Sequence, residues 1–246
     1  MVWFDKIPHI FPMTKIVSRF SLAVVVLASP IVAHADLTFN ASVVSEYRYR
    51  GISQTHWKPA VQAGVDFSDG GLYLGAWAST IRWIKNSGGD APSEFDFYGG
   101  YKGEISPGLG YDVGVLRYQY PSAGLSISPN TTEVYGGLSM GMFSAKYFRS
   151  ATNLFGFDRS RGSSYLDLSA TLDLDKGMTL TPHIGYQIVR NNSTYSYADY
   201  ALTLTKDIRG LLFSLTWLGT DSHAYTAADG RNLGRGRLVV GTKINF

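Results

Sequence analysis

The sequence predicts an all-β fold, an antiparallel transmembrane β-barrel of about twelve strands that follows an N-terminal signal peptide. Three observations favour it: apolar and polar side chains alternate with a two-residue period, the connections alternate between short and long, and the N-terminus resembles a secretory leader. The alternation is clear in the final segment, where one face carries Leu238, Val240, Ile244 and Phe246. A strand with one apolar face suits a closed barrel in lipid.

The N-terminal region has the parts of a signal peptide. Basic residues within 13–19 precede an apolar run over 20–27, and Ala33-His34-Ala35 is a small-x-small cleavage site. A membrane-spanning helix is the alternative, but Pro30 ends the run short of the roughly 20 apolar residues that a helix needs.

Two regions follow from this signal. We expect residues 1–35 to be an N-terminal extension and a cleaved signal peptide, and residues 36–246 to form one outer-membrane barrel exported through the periplasm.

Composition excludes several classes of protein. Loss of Lys6, Lys15, Arg19 and Asp5 with the leader lowers the formal net charge from +3 to +1, so charge gives no reason to expect nucleic acid as a partner. The chain has no cysteine, hence no disulfide framework or thiolate metal site. No cluster of His, Asp and Glu has metal-ligand spacing, and no motif indicates a cofactor.

The residues after the signal divide into twelve alternating segments of about the length that crosses a bilayer as a tilted strand. The predicted strands are Leu37–Tyr47, Lys58–Ser68, Gly71–Thr80, Glu94–Glu104, Leu109–Gln119, Thr132–Met140, Phe143–Ser150, Tyr165–Leu174, Met178–Ile188, Asp199–Lys206, Gly210–Leu218 and Arg235–Phe246.

The connections between these strands alternate in length. Turns such as Asp69-Gly70 are short, whereas the connections at 48–57 and 219–234 are long. Short periplasmic turns and long external loops are typical of outer-membrane barrels, and place both termini at the short-turn end. A soluble β-sandwich or barrel is the alternative. The signal peptide, the loop asymmetry and the terminal Phe246 favour the membrane.

One run of residues carries a family resemblance. Tyr47-Arg48-Tyr49-Arg50-Gly51-Ile52-Ser53-Gln54, followed by Pro59-Ala60-Val61-Gln62, resembles the TorF family of outer-membrane porins, a conserved bacterial family of the Gcw_chp type. Residues 71–79, 94–101 and 133–135 share the likeness. The resemblance implies a barrel in the bacterial outer membrane and suggests a channel for small polar solutes, without catalytic residues.

Two other functions stay open. An outer-membrane enzyme acting on lipid would use His183, and a structural or adhesive barrel would work through its external loops. Twelve strands lie between the filled lumen of eight-stranded barrels and the open channel of barrels with 16–18.

Side-chain parity gives the candidate site residues. The expected pore-mouth and lumen residues are Glu46, Arg48, Arg50, Asp66, Asp96, Lys102, Glu133, His183 and Lys243.

The first long loop offers a selectivity hypothesis. Arg48 and Arg50 continue the inward parity of the first strand, and two cations in a narrow external mouth would concentrate anions. The alternative is that Arg50 anchors this loop through carboxylates such as Asp66.

Outward parity gives the expected partners. Arg149 and Arg190 are predicted to point outward at the external rim, where they would contact lipopolysaccharide; the alternative is that both are merely solvated in loops. We also expect Phe246 to engage the barrel-insertion machinery.

The cleavage site gives a test of processing. The small residues Ala33 and Ala35 fit a signal peptidase, so mass spectrometry of protein from the outer-membrane fraction should find Asp36 as the first residue. Intact residues 13–35 in that fraction would contradict the predicted signal peptide.

Overall fold

The computed structural model describes residues 35–246, which form a closed antiparallel β-barrel of twelve strands. The predicted fold class and strand number are therefore confirmed. The extension and the signal peptide up to His34 lie outside the described residues.

The helices and strands are named in chain order. The strands are β1 (Asp36–Val44), β2 (Arg48–Tyr49), β3 (Ile52–Ser53), β4 (Ala60–Asp69), β5 (Leu72–Thr80), β6 (Ser93–Ser106), β7 (Leu109–Gln119), β8 (Thr131–Met140), β9 (Phe143–Ser150), β10 (Ser164–Ala170), β11 (Leu172–Asp173), β12 (Met178–Ile188), β13 (Tyr197–Ile208), β14 (Leu211–Thr220) and β15 (Arg237–Asn245). One short helix, α1, covers Trp83–Asn86, and a 3-10 helix covers Ser193–Tyr195. Within residues 35–246, no helix is long and apolar enough to cross a membrane.

The wall closes because each wall strand pairs with the wall strands before and after it in the chain, and β1 also pairs with β15. The last residue takes part in this closure. Phe246 exchanges two backbone hydrogen bonds with Phe39 of β1, at 2.8 and 2.9 Å, and their rings stack at 5.9 Å between centroids. Strands β10 and β11 lie end to end along β12 and count as one wall strand. The hairpin β2–β3 forms a separate two-stranded sheet.

Most of the predicted strand ends agree with the structure to within one or two residues, and two of the predicted strands differ by more. The first ends at Val44 rather than Tyr47, because the chain leaves the wall there and the Tyr47 amide donates to Thr55 Oγ1 at 3.1 Å. The segment Tyr165–Leu174 is interrupted, because the Thr171 amide donates to the Met142 carbonyl at 2.9 Å, between β10 and β11.

The two faces of the wall have opposite chemistry. Large apolar side chains such as Phe97, Val115 and Trp217 are exposed on the outside, where lipid would cover them. Buried polar side chains line the inside, including Gln62, Glu94 and Asp167. The alternation in 71–80 does not say which side chains face the lumen, because apolar residues occupy both faces. The structure shows that Leu74 points outward, while Tyr73 and Trp77 are buried.

Glycines in the wall make room for lumen tyrosines. The Tyr98 ring lies against Gly75 of the adjacent strand, and the Tyr73 ring lies against Gly100 in the same way. A Cβ at either glycine would clash with the ring, so these two inward tyrosines require glycine at the paired position of the neighbouring strand.

The apolar outer face predicts a depth-dependent effect of charge. Val115 lies in the middle of β7 and is exposed, so Val115→Arg should lower the free energy of unfolding by about 2–4 kcal/mol in a bilayer. Ile208→Arg, at the end of β13 beside a turn, is the matched control and should cost about 0–1 kcal/mol. Urea titration in lipid vesicles measures both. Equal losses of stability in the two variants would contradict a membrane that surrounds the middle of the barrel.

Candidate functional site

The first external connection, residues 45–59, folds into the barrel; we call it loop 1. Its central part is the hairpin β2–β3, in which Arg48 pairs with Ser53 and Tyr49 pairs with Ile52. The two tip residues, Arg50 and Gly51, have φ of +44° and +79°, as a tight two-residue turn requires. Residues 46–55 are all buried. Loop 1 therefore occupies the external part of the lumen.

Arg50 attaches the tip of this hairpin to the opposite wall. Its guanidinium binds the Glu133 carboxylate of β8 through two hydrogen bonds, Nη1 to Oε1 at 3.1 Å and Nη2 to Oε2 at 2.7 Å. Nη1 also donates to Oε1 of Gln187 on β12, at 2.7 Å. Arg50 is 7% exposed and Glu133 is 0% exposed. The contact is thus a buried bidentate ion pair, in which two charge-assisted hydrogen bonds add both energy and geometric specificity.

Aromatic rings surround the same guanidinium. Its Cζ lies 4.1 Å from the centroid of the Tyr165 ring, 4.8 Å from Tyr49 and 5.1 Å from Phe148. Burial by itself lowers the pKa of Arg50, but the charge and the hydrogen bond of Glu133, together with Tyr49 and Tyr118, raise the pKa overall to well above its ordinary value. Arg50 therefore stays charged, and the pair depends on Glu133 to compensate that charge.

The acceptor side of the pair is also held in place. The Tyr118 hydroxyl donates to Glu133 Oε2 at 3.0 Å and lies 2.8 Å from the Tyr49 hydroxyl. These contacts link β7, β8 and loop 1 in one buried network. Because every partner is largely removed from water, the network specifies one position for the hairpin tip.

Arg48 uses a different carboxylate. Its Nε donates to Glu46 Oε1 at 3.0 Å, and its Nη1 donates to the carbonyls of Gly51 and Arg235 at 2.9 Å each. Glu46 Oε2 also accepts from Arg237 Nε of β15 at 3.2 Å. Glu46 thus binds Arg48, whereas the charge of Arg50 is compensated by Glu133.

The expected anchor for Arg50 is wrong in one respect. Asp66 does not reach loop 1; it accepts hydrogen bonds from Tyr98 and, at 3.5 Å, from Asn40. Asp66 lies three residues before the end of β4, in the half of the barrel with the short turns. Loop 1 enters from the other end of the barrel, near the start of β8, where Glu133 is the third residue of the strand.

The remaining lumen candidates occupy several levels of the barrel. Asp96 is fully buried, Lys102 Nζ lies 5.8 Å from the centroid of the Tyr73 ring, and Lys243 lines a small cavity of about 60 Å³. These side chains do not converge on a single point with Arg50. The structure distributes them along the lumen.

His183 belongs to a buried cluster on the lumen side. Its Nε2 lies 3.0 Å from Asp167 Oδ2, its Nδ1 lies 3.5 Å from Asp199 Oδ1, and the Tyr165 hydroxyl lies 3.2 Å from Nε2. The ring is 4% exposed, and Ile184 beside it faces outward. A lipid outside the wall has no access to this imidazole, so the position does not support the lipid-acting alternative. Residues 35–246 contain no group of His, Asp and Glu that could hold a metal ion.

Several lumen residues were missed by the sequence prediction. Asp112 forms an ion pair with Lys146, Asp199 joins the His183 cluster, and the lumen tyrosines Tyr118, Tyr135 and Tyr165 bind carboxylates or another tyrosine. Parity would have placed Asp112 inside the barrel. The tyrosines were harder to find, because an aromatic side chain suits the outer belt equally well.

Two spaces lie inside the barrel, and loop 1 lines the larger one. On the external side is a vestibule of about 470 Å³, whose lining includes Tyr49, Gln54, Tyr120, Phe155 and Gln187. On the other side is the 60 Å³ cavity lined by residues such as Asn40, Gln62 and Thr216. The pair between Arg50 and Glu133 lies next to the vestibule, since Gln187 and Tyr49 contact the pair and also line the vestibule.

The two predicted outward arginines lie at the external rim. Arg149 is on β9 with its side chain exposed, and exposed Arg190 follows the last residue of β12 by two positions.

Two solved structures share the architecture. A KdgM porin superposes with a TM-score of 0.52 over 86% of this chain and 99% of the porin, at 10% identity. A NanC porin superposes with a TM-score of 0.57 over 85% of this chain and 99% of the porin, at 14% identity. At these identities the likeness supports the fold alone. Among curated proteins, none matches this sequence.

The family comparison covers most of the sequence. A model described as a bacterial protein of unknown function, Gcw_chp, matches residues 28–246, which include all the wall strands and loop 1. The narrower TorF assignment stays a prediction. On this match, the chain belongs to the Gcw_chp family of bacterial proteins.

Proposed function

We propose that this chain is an outer-membrane porin of the TorF type that passes small polar solutes, and that loop 1 gates its lumen. The observation that carries the proposal is the buried pair between Arg50 and Glu133, which holds a hairpin across a polar-lined barrel.

The chemistry of the two faces supports transport rather than storage of an apolar ligand. The exposed belt is apolar, as contact with lipid requires, and the interior carries charged and hydroxyl side chains at every level. Polar groups on a lumen wall can replace part of the hydration of a passing solute.

The vestibule supports the same class of solute. Gln54, Asn86 and Gln187 offer hydrogen-bond donors and acceptors among aromatic rings such as Tyr49, Trp83 and Tyr120. Its volume of about 470 Å³ is within the range of sites for small molecules. We expect solutes to collect here and to pass when the hairpin moves.

The energetics of the pair explain how a loop can gate. Breaking a buried ion pair by removing one partner costs about 3–5 kcal/mol, because the other charge is left without compensation. That cost favours the inserted hairpin over a displaced one. A change that removes the pair should therefore shift the population toward an open lumen.

The first test removes the acceptor charge. Glu133→Gln leaves the Arg50 guanidinium buried without its carboxylate, so the inserted state should lose about a hundredfold or more in population relative to a displaced loop. Single-channel recordings in planar bilayers should show conductance severalfold above that of the original protein.

The matched control removes both charges. In Arg50→Met with Glu133→Leu, apolar side chains replace the pair without an uncompensated charge, and conductance should return toward the original value. If Glu133→Gln folds but conducts no more than the original protein, the gate proposal is wrong. If no variant conducts, the structural or adhesive alternative is favoured.

The second test leaves every charge in place. Gly51→Ala adds a Cβ that would lie 2.6 Å from Thr220 Cγ2 and 2.9 Å from both Asp199 Cβ and the Gly219 carbonyl oxygen, so we expect the hairpin tip to be displaced from the wall. Conductance should rise as with Glu133→Gln.

Gly70→Ala is the control for backbone strain. Its φ of +60° is also left-handed, so it carries a similar conformational cost of about 1–2 kcal/mol, but nothing lies within 4 Å of the added Cβ. The same bilayer recordings should find Gly70→Ala unchanged. Equal behaviour of the two alanine variants would contradict displacement of the hairpin.

A further inference from the structure

A positively charged cleft lies on the outside of the barrel at its external rim. It is formed between the loop at 151–163, which joins β9 to β10, and the loop at 189–196, which joins β12 to β13. The cleft has a volume of about 530 Å³. Four of its lining residues are Arg149, Arg159, Arg161 and Arg190.

Two of these guanidinium groups converge. A Cβ placed on Gly162 would lie 3.1 Å from Arg190 Nη1 and 3.5 Å from Arg149 Nη2, so both groups reach the same point beside this glycine. Gly162 has a φ of +87°, which suits glycine and leaves that point open. Two like charges brought this close repel each other unless an anion lies between them.

The protein itself supplies little compensation. Among residues 35–246, none of the ion pairs involves Arg149, Arg161 or Arg190. Arg159 pairs with Asp158 at 3.3 Å, and both side chains are exposed. The cleft therefore carries an excess of positive charge, in contrast to the paired arginines of loop 1.

Hydrogen bonds fix the walls of the cleft. Asn191 Nδ2 donates to the Arg159 carbonyl at 2.8 Å, and Asn192 Nδ2 donates to the Asp158 carbonyl at 2.9 Å. The Arg190 amide donates to Ser163 Oγ at 2.9 Å. Two neighbouring loops are thus tied together, and the arginines need little reordering to bind an anion.

The surface next to the cleft indicates which kind of anion fits. Arg149 pairs across the sheet with Val134 and Ser164, and continues the outward face of Tyr147. Exposed Ile188 and Leu166 belong to the same apolar strip. A ligand here has its anionic part among arginines and its apolar part on the belt, as a phosphorylated lipid does.

We propose that this cleft binds the phosphate groups of lipid A, the lipid anchor of lipopolysaccharide, in the outer leaflet. The proposal rests on the outer-membrane location proposed above, but not on channel activity. Guanidinium groups bind phosphate oxygens through paired, charge-assisted hydrogen bonds, and Arg149 and Arg190 contribute most because they converge.

The test uses the refolded protein in detergent with purified bisphosphorylated lipid A, measured by native mass spectrometry. Arg149→Gln with Arg190→Gln should weaken lipid A binding about tenfold or more, since two charge-assisted contacts are lost. Arg82→Gln with Arg209→Gln removes the same charge from exposed positions outside the cleft and should leave binding unchanged. Folding of each variant is checked by its heat-modifiable migration on gels.

Two further ligands distinguish the source of the phosphate. Dephosphorylated lipid A should bind more weakly than the bisphosphorylated form, and inorganic phosphate at millimolar concentration should compete poorly because it lacks acyl chains. Equal binding of lipid A by the cleft variant and the control variant would overturn the proposal, as would equally effective competition by inorganic phosphate. Both cleft substitutions should leave conductance unchanged, so the result is independent of the gate.

Discussion

The rest of the structure depends on one constraint, the closure of the wall by pairing of β1 with β15. In lipid, every backbone amide and carbonyl needs a partner within the protein, and a sheet meets that need only when it has no open edge. Closure also divides the side chains into an apolar outer face and a polar inner face. The polar groups of the interior then need water or partners from the protein. Here Arg50 of loop 1 and the lumen tyrosine Tyr165 bind the lumen carboxylates.

Arginines serve opposite purposes on the two sides of this wall. Inside, Arg48 and Arg50 are buried, and each is bound to a carboxylate. Outside, Arg149 and Arg190 are exposed and converge without an acidic partner among the described residues. The same side chain therefore fixes a protein segment where a carboxylate faces it, and is available for an external anion where none does. Position relative to the wall decides between these roles.

Much of this arrangement could be predicted from the sequence. Once the limits of a strand are known, its two-residue period determines which side chains face the lumen and which face outward. All twelve strands and the inward parity of Glu46, Glu133 and His183 follow from that rule. The partner of Arg50 could not be predicted by that rule, since a loop that folds into the lumen can contact any strand. Parity also does not say how deep in the lumen a side chain lies. Tyrosines such as Tyr118 were ambiguous for another reason, because the outer belt and the lumen both accept them.

The position of loop 1 also has a consequence for the order of assembly. Glu46 is bound by Arg237, a residue 191 positions later in the chain, and Arg50 is bound by Glu133, 83 positions later. Contacts between such distant residues form only after the intervening chain has been ordered, since the entropy of closing long loops opposes them. We therefore expect the contacts of the hairpin to form late in assembly, once β8 and β15 are in place. A nascent barrel would pass through a stage with a water-filled interior before it acquires its plug.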